Sequence, residues 1–268
     1  MIRPMDTAFD LPAYLRRIAV ETAPQPDVPT LGVLHRAHLA AIPFENLDIQ
    51  LGRPVRLDAG SLQEKLVRHR RGGYCFEHNT LFAHALRAIG FEVHTCEARV
   101  RQNAEGVLRP RTHMVLKIVC AGRTWLADVG FGGSGVIDPV AIDGSTSTQY
   151  GSSYRINNID RQWVLQEEGP AGWNDLYAIL PLPVFPVDFE VANWFTSTHP
   201  ESPFVKTLTA QRVTPDVRYI LRNLTLTTFR AGQVETREVP RADLGALLRD
   251  VFGIDVPEDA RYRGLDGV

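Results

Sequence analysis

The chain has 268 residues, with 29 basic and 31 acidic side chains and a formal net charge of −2. That balance gives no global electrostatic reason to bind nucleic acid or an anionic membrane surface. Hydrophobic residues at 44% and charged residues at 22% fit a globular chain of one to three units, and no apolar run nears the roughly 20 residues of a membrane span. Three cysteines, Cys75, Cys96 and Cys120, are too few for a disulfide framework, so a reduced, cytoplasmic setting is expected. The N-terminal stretch carries Asp6 and Asp10 and no apolar core, and is not read as a secretory signal.

The first ninety residues read as helices. Leu11, Tyr14, Leu15 and Ile18 share one helical face, with Asp10 as cap. Thr30 opens a second helix that Pro43 ends. Ser61 and Glu64 form a capping-box pattern ahead of a third, which Gly72-Gly73 stops. A fourth begins near Cys75, aligns Phe82, Ala85, Leu86 and Ile89, and closes at Gly90. The pattern then turns to strands: Phe91–Val100, His113–Cys120 and Thr124–Phe131, the last two joined by a hairpin turn at Ala121-Gly122. Residues 143–161 are rich in Gly, Ser, Thr and Asn and read as a long surface loop holding at most a strand at Ser153–Ile156. Further strands are expected at Gln162–Gln166 and Leu176–Leu180, and prolines 181, 183 and 186 mark a boundary. A short helix at Phe189–Thr196 is followed by strands at Val217–Leu221, Leu224–Phe229 and Val234–Val239, with a second hairpin turn at Ala231-Gly232. An amphipathic helix on Leu244, Leu247, Leu248 and Val251 ends at Gly253. Helices, then strands, then a mixed tail predict an α+β chain with segregated layers.

The chemistry concentrates in Arg71-Gly-Gly-Tyr-Cys-Phe-Glu-His-Asn79. The double glycine places Cys75 at a helix start, where unpaired N–H groups and the helix dipole favour a negative charge and hence a reactive thiolate. A buried cysteine packed behind a turn is the other reading of that position. A nucleophilic cysteine needs a base, and the base needs an orienting acceptor. If Ala121-Gly122 is a two-residue turn, His113 sits opposite Gly130 and Asp128 is its diagonal neighbour on the same face. A slip of one residue would turn Asp128 to the other face, so the spacing permits the pair without requiring it.

Three blocks, the Cys75 segment, Thr112-His113 and Trp125-Leu-Ala-Asp-Val-Gly-Phe-Gly132, resemble the catalytic blocks of the arylamine N-acetyltransferase family. Ile42-Pro-Phe-Glu-Asn-Leu47 and Asn193-Trp-Phe-Thr-Ser-Thr-His-Pro200, with Ser202 and Phe204, resemble two more of its motifs. The resemblance implies a papain-like Cys75–His113–Asp128 triad on three parts: a helical bundle over 1–90, a β-barrel over 91–186, and an interdomain helix with an α/β lid over 187–268. It implies ping-pong transfer of an acetyl group from acetyl-CoA, through a Cys75 thioester, to an arylamine or arylhydrazine. Asp128 would fix the His113 tautomer, and backbone N–H groups would meet the oxyanion. Phe44, Phe131 and Phe204 would line an apolar acceptor cleft, each with an equal reading as core packing, and Gly132 would belong to a glycine-rich loop that CoA approaches.

Other features read as structural. Gly130-x-Gly132-x-x-Gly135 has the spelling of a dinucleotide loop, but Pro139 follows and no helix does. His35 with His38, and Cys75 with His78, stand three residues apart with no further ligand at suitable spacing, so no metal is expected. Arg68, His69, Arg70 and Arg71 read as a basic helix end, although Glu45 is a candidate partner for Arg71. Cys96 and Cys120 read as core residues. The competing functions are an amide synthase with the same triad, a cysteine hydrolase or transglutaminase, and a binding module with a decayed site, against which the intact triad argues. Neither nucleic acid nor membrane is expected as a partner, and the chain is expected to be a monomer or homodimer. Loops such as 143–161 would set the preferred amine and acyl chain.

Overall fold

The computed structural model describes residues 9–104, 106–133, 135–214, 216–230, 232–257 and 259–265. Asp6 of the leader reading and Ala231 of the second hairpin turn lie outside the described residues.

Helix α1 (Leu11–Arg17) starts where Asp10 accepts the Ala13 N–H. Helix α2 (Val28–Ala41) starts two residues before the predicted Thr30. Asp27 supplies the cap by accepting the Thr30 N–H, and Pro29 sits in the first turn, where its missing donor does no harm. Two short elements that the sequence did not announce follow: strand β1 (Phe44–Glu45) and helix α3 (Leu47–Gln50). The predicted Ser61–Glu64 capping box does not form. Asp58 caps α4 (Ala59–Leu62) through the Ser61 N–H, the chain continues as a π-helical segment over Gln63–Arg68, and Glu64 pairs with Arg68 one turn on. Helix α5 (Cys75–Ile89) runs as predicted to Gly90, whose φ of 107° only glycine adopts readily.

Eight strands follow: β2 (Glu92–Val100), β3 (His113–Cys120), β4 (Arg123–Ala127), β5 (Val140–Ala141), β6 (Ser147–Gln149), β7 (Ser152–Ile159), β8 (Gln162–Gly169) and β9 (Gly172–Ile179). They form one antiparallel sheet in the order β5-β4-β3-β2-β9-β8-β7-β6, curled until β5 approaches β7. Its inner face carries Ala98, Val115, Tyr154, Leu165 and Tyr177, all buried. The predicted loop over 143–161 is instead mostly the β6–β7 hairpin, turned at Tyr150-Gly151. Its polar composition conceals a period of two that sends Tyr154 and Ile156 inward. Strand β4 stops at Ala127 rather than Phe131, because the Asp128, Val129 and Gly130 N–H groups donate to side chains instead of a neighbouring strand.

The last part holds α6 (Pro186–Thr198), α7 (Pro203–Lys206), β10 (Thr209–Val213), β11 (Val217–Arg222), β12 (Thr225–Arg230), β13 (Gln233–Glu238) and α8 (Leu244–Phe252). Helix α6 exceeds its predicted span at both ends, with Pro186 in its first turn. The five-stranded antiparallel sheet has the order β1-β10-β11-β12-β13, so Phe44 and Glu45 are paired with the C-terminal strands. Helices, curled sheet and C-terminal sheet each bury a core of their own, and the class is α+β. Among the described residues, no helix is long and apolar enough to cross a membrane.

Candidate active site

Cys75 is the first residue of α5 and is buried. The helix start is held by Glu77, which reaches back to accept the Tyr74 N–H at 3.1 Å. Gly72 and Gly130 permit close approaches of the chain at the start of this helix. A Cβ on Gly72 would lie 2.0 Å from the Pro43 carbonyl oxygen, and one on Gly130 would lie 2.8 Å from the Cys75 Cα. His113 opens β3. Ala121 and Gly122 both have positive φ, as a two-residue hairpin turn requires, and the ladder runs from Cys120–Arg123 to Leu116–Ala127. Extended three residues further, that register is the predicted one. The His113 Nε2 donates to Asp128 Oδ2 at 2.7 Å. Cys75 is near enough to favour the charged form of His113, and its thiol lies 3.7 Å from the Thr112 carbonyl oxygen. The three residues therefore meet in one buried row.

The Asp128 carboxylate is saturated. Oδ2 accepts from His113 and from the Tyr177 hydroxyl at 2.8 Å, while Oδ1 accepts from the Asn79 amide and the Gly130 N–H, each at 2.9 Å. Burial opposes its charge, but His113 and these donors hold it below the usual carboxylate range. Burial likewise opposes a charge on His113, yet Asp128 and Cys75 raise that imidazole to about 10. His113 thus keeps its proton at neutral pH, with a carboxylate on one side and sulfur on the other. A group that can donate a proton beside a buried nucleophile is fitted to acyl transfer.

A family model described as N-acetyltransferase matches residues 27–261. The arylamine N-acetyltransferase of Mycolicibacterium smegmatis is 39% identical over 259 residues, 93% of each chain. The chain belongs to the arylamine N-acetyltransferase family. The solved structure of the Salmonella typhimurium arylamine N-acetyltransferase agrees with a TM-score of 0.89 at 36% identity, over 94% of this chain and 93% of that one. That of Mycobacterium marinum, a complex with CoA, gives 0.88 at 37%, over 95% and 96%. Like these relatives, the protein is an acyltransferase.

Three positioning residues of this family member escaped the sequence reading. Asn79 stands one helical turn after Cys75, donates to Asp128 and to the Met114 carbonyl, and accepts the Val129 N–H. Its spacing of four from the nucleophile was the available signal. Tyr177 on β9 and His35 on α2 left none. His35 is buried, donates from Nδ1 to the Ile137 carbonyl at 2.8 Å, and accepts the Asp128 N–H on Nε2 at 3.1 Å. Burial lowers its pKa, in keeping with the neutral ring that this bonding requires.

The expected cleft residues fall into two groups. The Phe131 ring lies 5.2 Å from His113 and 5.0 Å from Tyr177. Phe44 and Phe204 face each other at 6.1 Å, with Phe204 also against Tyr74 at 5.4 Å. Gly132, with φ of 69°, packs under Gln211 of β10, and a Cβ there would come within 2.7 Å of the Gln211 oxygen. That oxygen accepts the Gly133 N–H. It ties the loop after β4 to β10.

Beneath the helix start lies a buried charged group. Arg71 donates to Glu45 from Nε at 3.0 Å and Nη2 at 2.8 Å, and reaches Asp48 at 3.3 Å. Lys65 bridges Asp48 at 2.6 Å and Glu77 at 2.7 Å. The Arg71 side chain is only 15% exposed and that of Glu45 0%, so Arg71 is not part of a solvated basic end, although Arg68 and His69 are. Arg71→Ala would leave a buried carboxylate without its cation. The expected loss is about 3–5 kcal/mol in denaturant unfolding, and unchanged stability would remove this group from the account.

His38 and His78 are packed. Tyr14 donates to His38 at 2.9 Å, His38 to His78 at 2.9 Å, and His78 to the Pro43 carbonyl at 3.1 Å, so His78 turns away from Cys75. Among the described residues, no three His, Cys, Asp or Glu side chains are disposed to hold a metal. Cys96 and Cys120 are buried within β2 and β3.

Proposed function

We propose that the chain transfers an acetyl group from acetyl-CoA to an arylamine or arylhydrazine through a thioester on Cys75. The observation that carries this is Cys75 at a helix start beside His113, whose Nε2 is held by a fully bonded Asp128. The thiolate attacks the acetyl carbonyl while the charge on its oxygen meets backbone N–H groups, including that of Cys75 at the helix start. The C–S bond to CoA breaks, and His113 gives its proton to the leaving sulfur. The neutral imidazole then takes a proton from the attacking amine nitrogen, and the thiolate leaves as the amide forms. Asp128 holds the tautomer that permits both transfers.

In this reading the core is papain-like, with parts at 1–90, 91–186 and 187–268, the last acting as a lid. Phe44, Phe131 and Phe204 receive the aromatic acceptor, and Gly132 leaves room for the donor. The protein works in the cytoplasm on small molecules. Exposure to acetyl-CoA without an amine should add the mass of one acetyl group to the intact protein, mapped to Cys75. An arylamine should discharge it as the N-acetyl product. An unlabelled protein, or a label on another residue, would overturn the thioester route.

A further inference from the structure

On one face of β2 and β3 three cross-strand pairs succeed one another: Ala98 with His113, Cys96 with Val115, and His94 with Lys117. The first carries the triad histidine and the second is buried. The third lies about 13 Å along the strand from the first, at the strand rise of ~3.3 Å per residue, and opens into a cavity of about 350 Å³. The cavity exists because β2 pairs with β9 only through Ala98, Arg99 and Val100. Beyond Ile179 the chain leaves the sheet through Pro181–Val184, so the first half of β2 has no strand neighbour on that side among the described residues.

The walls of this gap are mixed: Trp163, Val93, Val184 and two prolines supply apolar surface, with Leu182 at the rim, 57% exposed, and Arg87, His94, Thr95 and Lys117 supply polar surface. Its polar groups are chiefly cationic. The Lys117 charge acts on Cys96, and its ammonium has no acidic partner among the described residues. Among the described residues, Arg87 donates only to the Val93 carbonyl, at 3.2 Å. Glu92, the nearest acid in sequence, is turned to His94 at 2.8 Å. The volume sits at the lower end of ligand pockets, about 300–1,000 Å³.

We propose that this gap binds a small carboxylate with an aromatic body, the acid group on Lys117 and Arg87 and the ring against Trp163, apart from the catalytic cleft. Calorimetric titration of the Cys75→Ser chain with 2-naphthoate and with neutral 2-naphthamide tests it. The acid should bind once per chain and quench Trp163 fluorescence, the amide at least tenfold more weakly. Lys117→Met should weaken the acid at least tenfold and leave the amide unchanged, and saturating CoA should alter neither. Arg87→Met supplies the same comparison if Lys117→Met melts early. Absent binding, equal affinity for acid and amide, indifference to both substitutions, or competition by CoA would each overturn the proposal, the last by placing the probe in the catalytic cleft.

Discussion

Cys75→Ser should abolish acetyl transfer, a fall on the order of 10⁴-fold or more in kcat, while the thermal midpoint stays within a few degrees of the parent. The residue is buried at the start of α5, and serine removes neither the helix start nor the Glu77 bond to the Tyr74 N–H. The fold should therefore tolerate the exchange. The chemistry should not. His113 keeps its proton at neutral pH because Asp128 and the Cys75 sulfur favour its charged form. An alcohol is a far weaker nucleophile than a thiol, so the site is left with an acid and no effective nucleophile. Stopped-flow release of CoA and far-UV circular dichroism check the two halves. Retained turnover in a folded variant would remove Cys75 from the reaction.

Asp128→Asn should lower kcat/KM by about 10³–10⁴-fold and stability by about 1–3 kcal/mol. Four donors converge on this carboxylate, and an amide has one oxygen to offer them. The Gly130 N–H and the Asn79 amide are fixed donors, so the oxygen must stay with them. The new NH₂ then faces His113 and Tyr177. The Tyr177 hydroxyl can rotate. His113 can accept only by giving up its Nε2 proton, and its other nitrogen then presents N–H to the sulfur and can no longer take a proton there.

The same pair sets a pH signature. His113 is raised to about 10 in the folded chain, from about 6.5 when unfolded. Its contribution is therefore complete below pH 6.5 and lost as pH rises toward 10. Asp128 is lowered, so its contribution is present above about pH 4 and lost as pH falls below that. The stability gap between parent and Asp128→Asn should be widest between pH 4 and 6.5 and close on either side. Urea titrations across pH 3–10 measure it. A constant gap would mean that the pair is not coupled in this way.

Much of the site is local in sequence. Gly72-Gly73 and Gly90 bound α5, and therefore place Cys75 at a helix start, because glycine tolerates close approach and positive φ where other residues do not. Ala121-Gly122 sets the β3–β4 register, and with it the side of the sheet that Asp128 shares with His113. The Asp27 and Asp58 caps were misread for a local reason too. Each stands three residues before the N–H that it accepts, and that N–H belongs to a Thr or Ser itself able to cap.

What the sequence by itself determined was the helix start at Cys75, the hairpin that allows His113 and Asp128 to share a face, and the α+β order of elements, because caps, turns and periodicity act within a few residues. Only the tertiary structure decided what saturates Asp128: Tyr177 lies 49 residues away, and His35, which holds the Asp128 backbone, 93. It also decided that Phe44 and Glu45 join the C-terminal sheet and that Arg71 is buried against Glu45. A hydrogen bond between distant elements leaves no period in the chain. It exists because packing brings a buried polar group to the one place where its partner waits, and leaving it unpaired there would cost more than the fold can lose.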